Sequence, residues 1–322
     1  MNIEKILCIS VSGIGNTILL SPTLAELRRA RPQARIDLLA WNPVEAESLS
    51  GSGLVNECYH LSGSVFHKLR LLHAFRRQRY DVSITAIPSN RWQFHLLPFL
   101  IGARMRVCHA YPFGKWRSLS WLSNNKVDAQ DGLHDVENNL RLLRALHMDW
   151  RQVKPRLVFH IDRDSQDVAE RWLREQGIGE EDRLVGVHAG ASTGGRDKRW
   201  GLRNFAAELN AILSDDPGFK IVLLGGREEA AEREELKSLV NSKDIYIFVG
   251  PLKQTAHIIR KCTYFLSNDS GLMHIAAAFG IRQKAVFVAT SITRTAPWNE
   301  RAEVVDCTEG RLYPYPFHSC QP

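Results

Sequence analysis

The chain has 322 residues, 44% hydrophobic and 24% charged, with a formal net charge of +7. Its length suggests two domains, and its apolar fraction excludes intrinsic disorder and collagen-like repeats. No run of 18 apolar residues occurs, so the sequence offers no membrane-spanning helix.

The charge is unevenly placed. Residues 1–155 hold 20 basic and 12 acidic side chains, whereas residues 156–322 hold 22 and 23. Between His60 and Asn125 there are ten basic residues and one acid, Asp81. Such a bias suits a polyanion or a phosphorylated substrate, although a solvated basic surface reads the same way. The six cysteines (Cys8, Cys58, Cys108, Cys262, Cys307, Cys320) are widely spaced with no CxxC pair. That argues against a zinc site and a disulfide framework, and for a reduced, cytoplasmic protein.

Glu4 and Lys5 precede a short apolar run at 6–11, which leads into a glycine turn without a cleavage-type site. This reads as a first strand and not as a signal peptide. Ser12 to Asn16 form a turn, and 17–31 carry apolar residues at helical spacing up to Pro32. A strand at 36–40 follows, then a helix over 65–79, a strand at 82–86, a helix over 92–101 and a strand at 105–109. Residues 110–133 read as an irregular, mobile loop, and 134–146 as a strongly periodic helix.

The second half restarts the alternation, with helices over 164–176, 200–213, 228–240, 255–261 and 272–279. Strands are expected at 184–188, 220–224, 245–249, 264–267 and, last, 285–289. Strands alternating with helices imply βαβ units and parallel sheets. The two halves join near 150–165, which divides the chain into domains of 1–155 and 156–322. The apolar stretch 94–103 is ten residues long and contains Pro98, which suits a core helix or a monotopic membrane contact.

Three small-residue turns fall between strand and helix: 13–16, 190–195 and 268–271. Ligands of open parallel sheets bind beyond the carboxyl ends of the strands, and helix N-termini favour phosphate. The first turn is not GxGxxG, because position 18 is Ile18, so a nicotinamide-cofactor fingerprint is unsupported. Lys198 and Arg199 follow the second turn, where an anionic phosphate would sit, and Asp269, Ser270 and His274 surround the third. Each also has a plainer reading: Lys198 as a solvated charge, His274 as an interior histidine, Asp269 as a helix cap.

At these residues the sequence resembles glycosyltransferase family 9, the ADP-heptose:lipopolysaccharide heptosyltransferases, over about residues 5–305. The matching segments are GIGNTILLSPTLAELRRARP (13–32), VGVHAGAS (185–192) with KRW (198–200), LLGG (223–226) and SNDSGLMHIAAAFG (267–280). The resemblance implies an α/β GT-B fold, two Rossmann-like domains facing across a cleft, with acceptor bound by the first and nucleotide sugar by the second. It implies an inverting, metal-independent transfer without a cofactor, from ADP-heptose as the family's usual donor, to an anionic cell-envelope glycan such as lipopolysaccharide core. Carried over, Asp269, Ser270, Gly271 and His274 line the donor site, and Ser192, Thr193 and Lys198 meet the diphosphate. Glu228 or Glu229 approaches the nucleoside.

Inverting transfer needs a base for the acceptor hydroxyl and cationic help for the departing diphosphate. Without a metal, Lys198 and helix N-termini supply the second. The acceptor side would use Gly13, Gly15 and Asn16 with Arg76, Arg77, Arg79, Arg91, Arg104, Arg106, Lys115 and Arg117. One departure stands out: the family usually has Gly-Asp at the first turn, with the carboxylate as base, and here the residue is Asn16. An amide accepts no proton, which leaves Asp135 or His134 as candidates, both also natural helix caps. Asp81 reads as structural. The rival readings are a nucleotide-sugar-binding protein without turnover and a GT-B-like sugar-nucleotide epimerase. Nucleic-acid binding lacks any matching motif. Contact with the membrane would be peripheral.

Overall fold

The structure is a computed structural model that describes residues 3–111, 118–191 and 196–308. It divides into two compact units, one of Met1–His160 and a second beginning at Ile161.

The first unit runs β1 (Lys5–Ser10), α1 (Ile14–Ala30), β2 (Arg35–Ala40), α2 (Pro43–Glu47), β3 (Glu57–His60), α3 (Val65–Gln78), β4 (Val82–Thr85), α4 (Trp92–Ile101), β5 (Met105–Ala110), β6 (Asn125–Asp128) and α5 (Asp135–Arg141). Its six strands are all parallel, in the order β3-β2-β1-β4-β5-β6. The central strands are buried along nearly their whole length, as strands covered by helices on both faces must be. The direction of strand order reverses at β1, so α1 and α5 pack on one face while α3 and α4 pack on the other.

The second unit repeats the plan: α6 (Arg163–Glu175), β7 (Arg183–His188), α7 (Leu202–Asp215), β8 (Phe219–Leu224), α8 (Ala230–Leu239), β9 (Ile245–Phe248), α9 (Leu252–Lys261), β10 (Tyr264–Asn268), α10 (Gly271–Ala278), β11 (Arg282–Phe287), α11 (Ile292–Thr295) and β12 (Ala302–Asp306). Its parallel sheet has the order β12-β11-β10-β7-β8-β9. Val185, Val187, Phe205, Leu209, Ile221, Leu223 and Leu266 form the core between β7, β8, β10 and α7.

Several elements depart from the sequence reading. Of the stretch 110–133, Ser120–Leu122 form a 3-10 turn and β6 completes the sheet, with Val107 in register with Asn125. The helices expected at 134–146 and 228–240 each contain a tighter turn: Leu142–Leu146 is 3-10 after α5, and Arg227–Glu229 is 3-10 before α8. β3 and β12 were not expected, and the strand expected at 285–289 is β11, three residues earlier. β3, β6 and β12 are edge strands with mixed burial, so they lack the apolar run that marks a central strand.

No helix among the described residues is long and apolar enough to cross a membrane.

Candidate active site

In each unit the strand order reverses beside the first strand, and the crevice there, beyond the carboxyl ends, is where ligands of such sheets bind. In the second unit that crevice lies between β7 and β10. Asn268, the last residue of β10, stitches it together. Its Nδ2 donates to the carbonyls of Ala189 (2.6 Å) and Gly190 (3.3 Å), and its Oδ1 accepts from Trp200 N (3.0 Å). This holds the segment around Lys198 against Asp269. Lys198 Nζ donates to Asp269 Oδ2 at 2.6 Å, and Thr290 Oγ1 donates to the same oxygen at 2.8 Å. The aspartate side chain is 7% exposed and the lysine 31%, so the carboxylate is sheltered while the ammonium reaches solvent.

Ser270 caps α10. Its Oγ accepts from Met273 N at 3.4 Å and lies 2.9 Å from His188 Nδ1. The other ring nitrogen of His188 faces Glu229 Oε2 at 3.4 Å. The same carboxylate oxygen accepts from Gly226 N at 2.9 Å, and Arg233 donates to the Gly226 carbonyl at 2.7 Å. Burial alone would raise the Glu229 carboxyl, but His188, the Gly226 N–H and Arg233 together hold it below its ordinary range. A side chain at Gly190 or Gly225 would collide with this carboxylate, which explains both glycines. His188 thus ties the turn after β8 to the cap of α10. Gly271 opens α10, and His274 is buried one turn further along it.

The unit therefore brings Lys198, Asp269, Ser270, Gly271 and Glu229 to the carboxyl ends of three neighbouring strands. Glu228 is on the exposed side of its turn, whereas Glu229 is buried. Ser192 and Thr193 lie outside the described residues. Sequence reasoning missed His188, which reads as the end of a strand, and Thr290, which no motif marks. Among the described residues no three metal-ligating side chains converge.

In the first unit the crevice lies between β1 and β4. Gly13 has φ +107°, which favours glycine, and precedes α1. Gly15 and Asn16 fall in the first turn of α1, and Asn16 Nδ2 donates to Ser12 O at 2.6 Å. Glu45, which sequence reasoning also missed, braces this turn: its carboxylate accepts from Trp41 N (3.1 Å), Asn42 Nδ2 (2.8 Å) and the Gly13 backbone. Burial raises the Glu45 carboxyl despite these bonds.

His134 and Asp135 start α5. His134 Nδ1 accepts from Val136 N (3.2 Å) while Glu137 accepts from His134 N (3.1 Å), a complete capping box. Asp135 is 1% exposed on the helix that packs against α1.

The basic residues divide between the two ends of the sheet. Arg91 precedes α4, beyond the carboxyl end of β4, on the same end as Asn16. Arg76, Arg77 and Arg79 close α3 just before β4 begins, and Arg104 pairs with Asp81 at 3.6 Å. Arg106 donates to the carbonyls of Leu122 and Ala103, both at 2.7 Å. These five sit at the amino end, one strand length (about 15–20 Å) from the Asn16 turn, so the structure does not gather them with it. Lys115 and Arg117 lie outside the described residues.

Comparison with known proteins gives a consistent answer. Residues 68–313 match the model of glycosyltransferase family 9 (heptosyltransferase). The chain is 26% identical to lipopolysaccharide heptosyltransferase 2 of Salmonella typhimurium, covering 95% of this chain and 89% of that protein. Among solved structures it is similar to Escherichia coli ADP-heptose lipopolysaccharide heptosyltransferase II, with TM-score 0.76 and 25% identity over 96% of this chain and 92% of the other. A family 9 glycosyltransferase from Veillonella parvula shares the fold with TM-score 0.81 at 18% identity, covering 95% and 87%. The two sheets are those of the GT-B fold, and with a family match over more than half of its length this chain belongs to glycosyltransferase family 9, the heptosyltransferases.

Proposed function

We propose that this enzyme transfers heptose from ADP-heptose to an anionic lipopolysaccharide-core acceptor in the cytoplasm, inverting the anomeric centre without a metal. The second unit is read as the donor domain and the first as the acceptor domain. The observation that carries the donor assignment is Lys198 held on Asp269 beside the N-terminus of α10, at the strand-order reversal. An ammonium and a helix N-terminus together suit a diphosphate, and both gain strength as charge develops on the leaving group. The donor named for the similar E. coli enzyme supports the choice of ADP-heptose.

On the acceptor side, Asn16 takes a positioning role. Its Nδ2 is committed to Ser12 O, which leaves Oδ1 to accept a hydrogen bond from the acceptor hydroxyl. The amide orients that hydroxyl and takes no proton. His134 and Asp135 remain the candidates for proton acceptance, with His134 Nδ1 already engaged in its cap.

The test is product formation. Purified enzyme, ADP-heptose and heptose-terminated core acceptor, with EDTA present, should give acceptor heavier by one heptose and stoichiometric ADP. Product NMR should show the anomeric configuration opposite to the donor's. ADP-heptose left unchanged, or epimerised without acceptor, contradicts the proposal.

A further inference from the structure

The α3 and α4 layer carries an unusual outer face. Six of the eleven large apolar side chains exposed among the described residues are on these two helices. On α3 they are Val65 (70% exposed), Phe66 (84%) and Leu69 (58%), and on α4 Trp92, Phe99 and Leu100. At 100° per residue, Val65, Phe66 and Leu69 share an arc of about 140° with Arg70, Arg76 and Arg77. The opposite side of α3 buries Phe75 against the sheet.

The two helices form one surface. Arg76 Nη1 donates to Leu100 O at 2.9 Å, joining the C-terminal ends of α3 and α4. Arg106 lies over the Phe99 ring, 5.7 Å from its centroid. From residue 60 to residue 110 the chain has eight lysines and arginines and one acid, Asp81. Asp81 is turned toward the backbone of Glu4 and Lys5 and toward Arg104. The face is thus apolar and cationic with no free carboxylate among these residues.

We propose that the outer face of α3 and α4 is a docking surface for an anionic lipid bilayer. A solvated surface helix spends its exposed arc on polar side chains; this one exposes phenylalanine, leucine and valine among arginines. That combination is the pattern of a helix lying in the plane of a membrane interface, with apolar side chains inserted and cations among lipid phosphates. The charge sign selects the partner: a zwitterionic bilayer offers the arginines no net gain. The arginines at the amino end of the sheet, far from the Asn16 turn, acquire a role here. The surface goes beyond the transfer reaction proposed above. If the acceptor is lipid-anchored, docking places the enzyme where that acceptor is.

The test is co-sedimentation of the full chain with vesicles of phosphatidylethanolamine and phosphatidylglycerol, against vesicles of phosphatidylcholine, at 0.15 M salt. The wild-type protein should bind the anionic vesicles and leave the phosphatidylcholine vesicles unbound. Phe66→Ser with Leu69→Ser, and separately Arg70→Glu with Arg77→Glu, should each weaken binding about tenfold or more. These side chains are exposed, so melting temperature should hold; if one pair fails to fold, the other decides. Absence of binding to anionic vesicles, or binding that a folded pair leaves unchanged, overturns the proposal. So does release by millimolar inorganic phosphate but not by sodium chloride of equal ionic strength, which marks a discrete phosphate site. A stable dimer that the Phe66 and Leu69 substitutions convert to monomer, without vesicle binding, overturns it in favour of a second copy. ADP titration of the same samples separates this result from the donor reading: vesicle binding without ADP binding contradicts only the latter.

Discussion

Lys198 Nζ and Asp269 Oδ2 lie 2.6 Å apart, and the aspartate is the more buried partner. Thr290 donates to the same oxygen, so the carboxylate serves to hold the lysine and not to receive a proton. Lys198→Ala should weaken ADP binding about ten- to a hundredfold, the size of one or two charge-assisted hydrogen bonds. Asp269→Asn keeps the shape and frees Lys198; it should lose affinity to a smaller extent. Calorimetry on the folded variants checks both, and unchanged affinity in Lys198→Ala removes it from the site.

Asn16→Asp installs a carboxylate in the first turn of α1, where the helix dipole favours it. It also loses the bond from Nδ2 to Ser12 O. If Asn16 only positions the acceptor while proton transfer is slow, kcat should rise and acceptor KM should change little. Steady-state kinetics decide; a large fall in kcat would show that the amide itself is required.

His188 joins Ser270 to Glu229, so His188→Ala leaves a buried carboxylate without one of its partners. The variant should bind ADP about tenfold more weakly, and Glu229→Gln in the same background should recover part of any lost melting temperature. Wild-type affinity in His188→Ala would show that the cap of α10 needs no support from β8.

The α6 and α9 contact should make stability fall in mild acid. His257 Nε2 meets Glu170 at 2.7 Å, and Arg260 donates to Nδ1 at 3.0 Å. A guanidinium only donates, so Nδ1 must accept and the ring is neutral. Burial, chiefly, and Arg260 hold the imidazole below its ordinary value of 6.5 against the pull of Glu170. The unfolded chain therefore binds this proton more tightly than the folded one. The contribution is complete above about pH 6.5 and is lost as pH falls through the lower folded value. Melting curves from pH 8 to 5 should show this slope, and His257→Gln, which still donates to Glu170, should flatten it. A slope unchanged in that variant would assign it to other groups.

The central strands and their turns were legible because β1, β2, β4, β7, β8 and β10 are buried on both faces and read as apolar runs ending in small residues. The edge strands β3, β6 and β12 were not, because water on one side permits Glu57, Lys126 and Glu303 in them. In the site, Lys198, Asp269 and Ser270 stand beside glycine turns and could be found. Thr290 and Glu45 act through folding contacts that no local pattern announces. The arginines of α3 illustrate a different limit: composition counted them but did not say at which end of the sheet they lie. That signal was available, since a helix between parallel strands returns the chain to the amino end.

The central claim is that the β7–β10 crevice is a nucleoside-diphosphate site working through Lys198 and the N-terminus of α10. Calorimetric titration of the purified protein with ADP, UDP and GDP, with EDTA present, tests it most directly. The account predicts saturable binding of ADP in preference to UDP and GDP, weakened in Lys198→Ala. No binding of any of the three, or binding indifferent to Lys198, would contradict it.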